Sequence, residues 1–182
     1  SSTGNIKKRL DLKKVLYVLL CVLVLLLILI AVFLVNRKNI STRTFMIYMV
    51  GADLESNGSM GTYELNGIDP KLVDLENVNV VMIAGGAKKW NNDYIDVDET
   101  SIYQLTREGF IKVKKQPIKN MGDASTLSNF LNFVTEHYIT DKYELLFWNH
   151  GGAIMGSEFD ELNGNDNLTL EEISKALRKT SF

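Results

Sequence analysis

The sequence predicts an α/β domain on a mainly parallel sheet, preceded by one transmembrane helix. Three observations carry this. Residues 15–35 are 21 consecutive positions without a charge, mostly Leu, Val and Ile. Three continuous apolar runs, 45–50, 78–84 and 143–148, each stop at glycine-containing turns. Continuous rather than alternating hydrophobicity suits strands buried on both faces of a parallel sheet. Helical patterns alternate with these runs, which implies right-handed βαβ connections.

At 1.5 Å per residue the first run is about 30 Å long as a helix, the hydrocarbon thickness of a bilayer. A helix packed on the core of a domain this small keeps a polar face toward solvent, and this run is apolar on every face. A cleaved signal peptide has an apolar region of about 7–15 residues ending at a small-x-small site. This run is longer, and Phe33-Leu34-Val35-Asn36 offers no such site. An uncleaved signal anchor over 15–35 is the better fit. Lys7, Lys8, Arg9, Lys13 and Lys14 precede it, against Arg37, Lys38 and Arg43 after it. The bias predicts a basic cytoplasmic flank over 1–14 and a domain outside a cell membrane crossed once. Residues 36–44 are polar and read as a linker, with the domain over 45–182.

Charge divides along the same line. The net charge of -2 is the sum of +6 over residues 1–40 and -8 over residues 41–182. No basic nucleic-acid-binding domain is present, so no nucleic-acid partner is expected. Cys21 is the single cysteine, which excludes an intrachain disulfide framework and a Cys-rich zinc site. It sits in the apolar run, where a thiolate is disfavoured, and reads as a small hydrophobe.

Within the domain, the first strand ends at Gly51-Ala52-Asp53 and the second at Gly85-Gly86. Residues 59–65 read as helical, broken by Gly67 and Asp69-Pro70. Residues 101–106 and 110–113 read as an antiparallel hairpin turning at Glu108-Gly109. Leu127, Phe130, Leu131 and Val134 fall at i, i+3, i+4 and i+7, one apolar stripe of a helix. Asp123 or Ser125 can cap it. The third strand ends at Asn149-His150-Gly151-Gly152. Thr169-Leu-Glu-Glu172 is a capping box opening a last helix, with Leu170, Ile173, Ala176 and Leu177 as its apolar face. The chain begins at Ser1 rather than Met and stops just after this helix, where a further strand is expected. It reads as a truncated part of a longer protein.

In open α/β sheets ligands gather at the carboxyl ends of the strands. A histidine directly after a buried strand stands at that rim, and the glycines beside it let a ligand approach the backbone. His150 is therefore the candidate catalytic residue. Neither a Gly-x-Ser-x-Gly elbow nor a His-Glu-x-x-His helix is present. His137 and His150 make a weak case for zinc, and no metal site is assigned. Read from Glu161, residues Asn163, Asn165, Asn167 and Glu172 have calcium-loop spacing. The loop lacks its initial Asp and carries Asp166 where Gly is required, so a solvated loop is favoured over a calcium site.

Four segments together carry a resemblance: 46–57 (the first strand and its loop), 84–92, 121–127 and 147–152. They occur in the order found in the clostripain family of cysteine peptidases, and the likeness runs from about residue 45 to about 180. The resemblance implies a caspase-like three-layer α/β sandwich and a His–Cys dyad that needs no cofactor. It maps the His onto His150 and an oxyanion-stabilising backbone N–H onto Gly151. The family's Cys follows the next buried strand, which would lie beyond Phe182, so no nucleophile is present in these residues. The resemblance further implies protein or peptide substrates cleaved after Arg or Lys, and self-processing between His and Cys. The basic residues in that interval are Lys175, Arg178 and Lys179. The acidic domain agrees with basic substrates through steering. The chain alone is expected to be inactive, and a rival reading is a membrane-tethered binding or regulatory domain that kept the fold and lost catalysis.

Overall fold

A computed structural model describes residues 12–38, 41–152 and 156–180. The chain divides into two compact units, Ser1–Ile40 and Ser41–Phe182. In the first, α1 (Leu12–Lys38) is one uninterrupted helix. Its window Lys13–Phe33 is long and apolar enough to cross a membrane, and none of it is buried as a core helix would be. Cys21 is exposed on this helix. Lys7, Lys8 and Arg9 lie outside the described residues.

The expected linker 36–44 is mostly absorbed by its neighbours. Residues 36–38 continue α1, because polar side chains past the apolar run do not interrupt the backbone ladder. Arg43 and Thr44 already belong to β1 (Arg43–Val50), paired with Val78 and Asn79 on one side and Lys142 and Tyr143 on the other. Residues 39 and 40 lie outside the described residues.

The second unit is built on a five-stranded sheet of order β4-β3-β2-β1-β5. After β1 come α2 (Ala52–Ser56), α3 (Met60–Asn66) and a 3-10 turn (Pro70–Leu72). β2 (Val78–Gly85) then pairs parallel to β1. β3 (Ser101–Thr106) and β4 (Gly109–Lys114) form the expected antiparallel hairpin beside β2. α4 (Ala124–His137) leads to β5 (Lys142–Trp148), which pairs parallel to β1 on its other side. β6 (Ser157–Asp160) and β7 (Asp166–Leu168) make a separate small hairpin, and α5 (Leu170–Arg178) follows.

Alternation along β1 feeds two cores. Met46, Tyr48 and Val50 join Val81, Ile83, Leu127, Phe130, Leu131 and Val134 on the α4 side. Met49 joins Met82, Ala84, Leu65, Trp90, Ile95 and Tyr103 on the side of α3 and the loop after β2. The result is a three-layer sandwich with a mainly parallel sheet. Asp123 rather than Ser125 caps α4, accepting a hydrogen bond from the Ser125 N–H at 2.6 Å. Both bonds of the Thr169–Glu172 capping box are made.

Two expectations change. β5 was expected to be buried on both faces, yet it is an edge strand among the described residues and Leu146 is 54% exposed. The reason is that a strand reading as central is covered only as far as its neighbours reach. On α5, Ala176 is buried and Ile173 packs against the core, while Leu170 and Leu177 are exposed.

Gly86 adopts φ +74, and a Cβ there would lie 2.5 Å from Val50 Cγ1. Gly109 adopts φ +110 in open space. Gly86→Ala should therefore cost about 3 kcal/mol and Gly109→Ala about 1 kcal/mol, measured by chemical unfolding. Equal losses would remove the steric argument for Gly86.

Candidate functional site

The three parallel strands end on one side. β1 runs into Gly51, β2 into Gly85-Gly86 and β5 into Asn149-His150. The backbones lie close together here. A Cβ on Gly51 would come within 2.8 Å of Ala87 Cβ and 3.0 Å of a Trp90 ring atom. The Gly51 N–H donates to the Gly85 carbonyl at 2.9 Å, closing the first two strand ends onto each other.

Asn149 joins the third. Its amide donates to the Val50 carbonyl at 2.6 Å and to the Phe159 carbonyl at 3.3 Å. Its side-chain oxygen accepts the His150 N–H at 2.5 Å. The His150 backbone is thus fixed to the end of β1 and to the β6–β7 hairpin. Gly152 N–H donates to the Gly156 carbonyl at 2.9 Å, which ties the segment after the histidine to the residue preceding β6. The Gly151 N–H makes no hydrogen bond among the described residues, and a side chain there would meet open space.

His150 Nε2 lies 2.8 Å from Asp53 Oδ1. Asp53 is the second residue of α2, and the sequence alone marks it only as part of a strand end, with no role. The hydrogen bond from His150 is the largest influence on its carboxyl, which is held below the ordinary carboxylate range. The signal that could have found it is its place three residues beyond a parallel strand that neighbours the histidine's own.

Beyond the pair lies an open cleft of about 530 Å³ bordered by Asp53, Lys88, His150, Phe159, Glu161 and Asn165. Burial pushes the Glu161 carboxyl up. The Ser56 hydroxyl at 2.6 Å, the Lys88 N–H at 3.1 Å and the Lys88 ammonium at 3.3 Å outweigh this and hold it low. Glu55, fully buried, braces the loops from beneath. It accepts from the Thr62 N–H and hydroxyl at 2.8 and 2.7 Å, and from the Asn91 N–H at 2.7 Å.

The residues considered for calcium do not converge. The buried Asp160 carboxylate accepts from the backbone of Met121, Leu162 and Asn163 at 2.7, 2.8 and 3.2 Å. Glu161 turns to Ser56 and Lys88, while Glu172 closes the cap of α5 through Thr169 at 2.8 Å. Among the described residues no cluster of three or more His, Cys, Asp or Glu could hold a metal. His137 points elsewhere, its Nδ1 2.8 Å from the Phe133 carbonyl. Lys175 and Arg178 lie within α5, and Lys179 caps its end.

The mainly parallel sheet, the helices on both faces and the rim histidine define a caspase-like α/β domain. The family follows from the sequence: the model of the clostripain family matches residues 47–182, and the chain belongs to this family of cysteine proteases. Clostripain of Hathewaya histolytica is 24% identical over 146 residues, covering 70% of this chain and 27% of that protein. A secreted C11 cysteine protease of Bacteroides thetaiotaomicron, solved with an irreversible peptide inhibitor, superposes with a TM-score of 0.61 at 19% identity. It covers 78% of this chain and 40% of its own. A further structure of a secreted C11 cysteine protease from the same organism, "iotapain", gives 0.53 at 12% identity, covering 76% of this chain and 42% of its own. The chain thus spans well under half the length of these relatives.

Glu158 lies in the hairpin that holds this site, and its burial carries a cost. It is buried at φ +65, its Oε1 accepts from the Ser157 hydroxyl at 2.8 Å, and its Oε2 has no partner among the described residues. Burial lifts its carboxyl to about 8 from an ordinary 4.5. Between those values the folded chain holds a proton that the unfolded chain has lost. Stability should therefore fall as pH rises from 4.5 to about 8, and level off above. The total is on the order of 5 kcal/mol. Glu158→Gln should flatten this dependence in unfolding experiments across that range, and an unchanged profile would assign it to other groups.

Proposed function

We propose that this chain provides the histidine half of a His–Cys dyad in a membrane-anchored endopeptidase that cleaves after Arg or Lys. The observation that carries the reading is His150, held at the strand-end rim by Asn149, beside a Gly151 N–H that has no hydrogen-bond partner among the described residues. In the proposed reaction a cysteine thiolate attacks the peptide carbonyl, and Gly151 N–H stabilises the oxyanion. Imidazolium at position 150 then donates its proton to the departing amine. Water, deprotonated by the same imidazole, hydrolyses the thioester and restores the thiol. No cofactor enters these steps.

Cys21 does not fit the nucleophile, because it lies in the apolar window of α1. The nucleophile is assigned to a strand beyond Phe182, in an Asp-Ala-Cys context taken from the family resemblance. The rival reading, an inactive tethered binding domain, draws on the same lack of a usable thiol in the 182 residues. The apolar window supports an anchor, and the flanking charges support a domain on the outer side of the membrane. Lys175, Arg178 and Lys179 are candidate self-processing positions. An extended substrate strand requires α5 to unwind, which favours the bond after Lys179 at its fraying end.

The intact natural protein should cleave Arg- and Lys-containing peptides, and thiol alkylation should block it. His150→Ala should reduce turnover at least about 10³-fold. Activity that survives His150→Ala removes this residue from the mechanism, and a natural chain without the downstream Cys favours the binding reading. The 182-residue chain should show no turnover and should stay with membranes through alkaline extraction. Deleting 15–35 should release it, and continued attachment would overturn the anchor. Mass spectrometry of the intact protein should find a new terminus at Lys179 if self-processing occurs there, and an uncut interval removes it.

A further inference from the structure

We propose that Asp53 is a positioning residue that fixes the ring orientation and tautomer of His150, leaving Nδ1 as the atom that exchanges protons with the nucleophile. This rests on the dyad reading above and adds to it a direction of approach.

The Asp53–His150 pair has little reason to exist for stability. The His150 and Asp53 side chains are 46% and 57% exposed, and exposed ion pairs contribute little to folding. Their 2.8 Å approach is imposed by the backbone on both sides. On one side, β1 and β5 are parallel neighbours with Met49 opposite Trp148. The residues that follow each strand therefore emerge next to each other. On the His150 side, Asn149 holds the histidine backbone to Val50 through the 2.6 Å bond from its amide. On the Asp53 side, the chain passes from β1 to α2 through Ala52, a buried non-glycine residue at φ +43. Such a conformation is strained and persists only where the surroundings impose it. Here it turns α2 at once, and the side chain of Asp53 comes to stand over the histidine.

Chemistry then selects the tautomer. An ionised carboxylate accepts hydrogen bonds and cannot donate them. The contact at Nε2 therefore requires the proton on Nε2, and in a neutral ring the lone pair is on Nδ1. Nδ1 has no hydrogen-bond partner among the described residues. It is the ring atom available to take the thiol proton and pass it to the departing amine. While the ring is charged, Asp53 faces Nε2–H and stabilises the imidazolium. The carboxylate itself need not take up a proton at any stage.

The two histidines of the chain supply an internal comparison. His137 contacts the Phe133 carbonyl through Nδ1, which also can only accept. The pair should therefore show opposite tautomers: Nδ1–H at His137 and Nε2–H at His150.

The test is long-range 1H–15N correlation of the 182-residue chain, labelled with 15N-histidine in detergent micelles above the titration of both rings. His150 should be Nε2–H by about tenfold or more. Asp53→Ala should collapse that preference and leave the His137 signals in place. Nδ1–H at His150 in the parent chain overturns the proposal, even if the variant does not fold. A His150 spectrum unaffected by Asp53→Ala overturns it as well. In the intact natural protein, Asp53→Ala should lower kcat about tenfold to a hundredfold with KM within about twofold, and an unchanged kcat overturns the positioning role. If the tautomers are as stated while the intact protein cleaves nothing, the peptidase reading fails and the Asp53–His150 pairing stands.

Discussion

The parallel pairing of β1 with both of its neighbours is the constraint on which the site depends. Val50 stands opposite Gly85, and Met49 stands opposite Trp148. That register brings three chain ends to one rim within hydrogen-bond reach, so Gly51 contacts Gly85 and Asn149 contacts Val50. A slip of one residue along β5 would reverse the faces of its side chains and carry Asn149 away from Val50. The chemistry of the rim is therefore a property of sheet register before it is a property of any side chain.

The β6–β7 hairpin is the second support, and it is held by charge. Asp160, buried beneath the rim, gathers backbone donors from the loop before α4 and from its own turn. Glu161 reaches across to α2 through Ser56, and its backbone N–H meets the Gly86 carbonyl at 3.1 Å. Gly122 allows the segment before α4 to press on the backbone at Asp166–Asn167, where a Cβ would come within 2.5 Å. The carboxylates that suggested a cation by their spacing are thus largely occupied by the protein's own N–H and hydroxyl donors.

Much of the scaffold was legible because hydrophobic pattern and local hydrogen bonding act over a few residues. The stripe Leu127, Phe130, Leu131 and Val134 is buried as its spacing implies, and the capping box at Thr169 is closed. His150 was legible as a strand-end residue. What escaped depends on contacts distant in sequence. α2 is five residues long and begins at a strained Ala52, so no helical periodicity announces it. Asp53 gains meaning only from a histidine 97 positions away. Glu55 and Asp160 look like surface carboxylates in a sequence and prove to be buried, each held by several donors. β5 carries the pattern of a central strand, and pattern reports what a strand can bury rather than what lies beside it.

The order in which these contacts become available during synthesis has its own consequence. β1 meets β2 about 35 residues later, as Arg43 pairs with Val78. The bond that seats the histidine joins residues 99 positions apart. At about 5–20 residues per second, the first strand waits roughly 5–20 seconds on the ribosome before its partner for the rim exists. Contacts of such long range also carry a larger loop-closure cost. The Asp53 side of the rim can thus be in place while the histidine side is still unmade. The fold delays assembly of the rim until most of the domain has been synthesised.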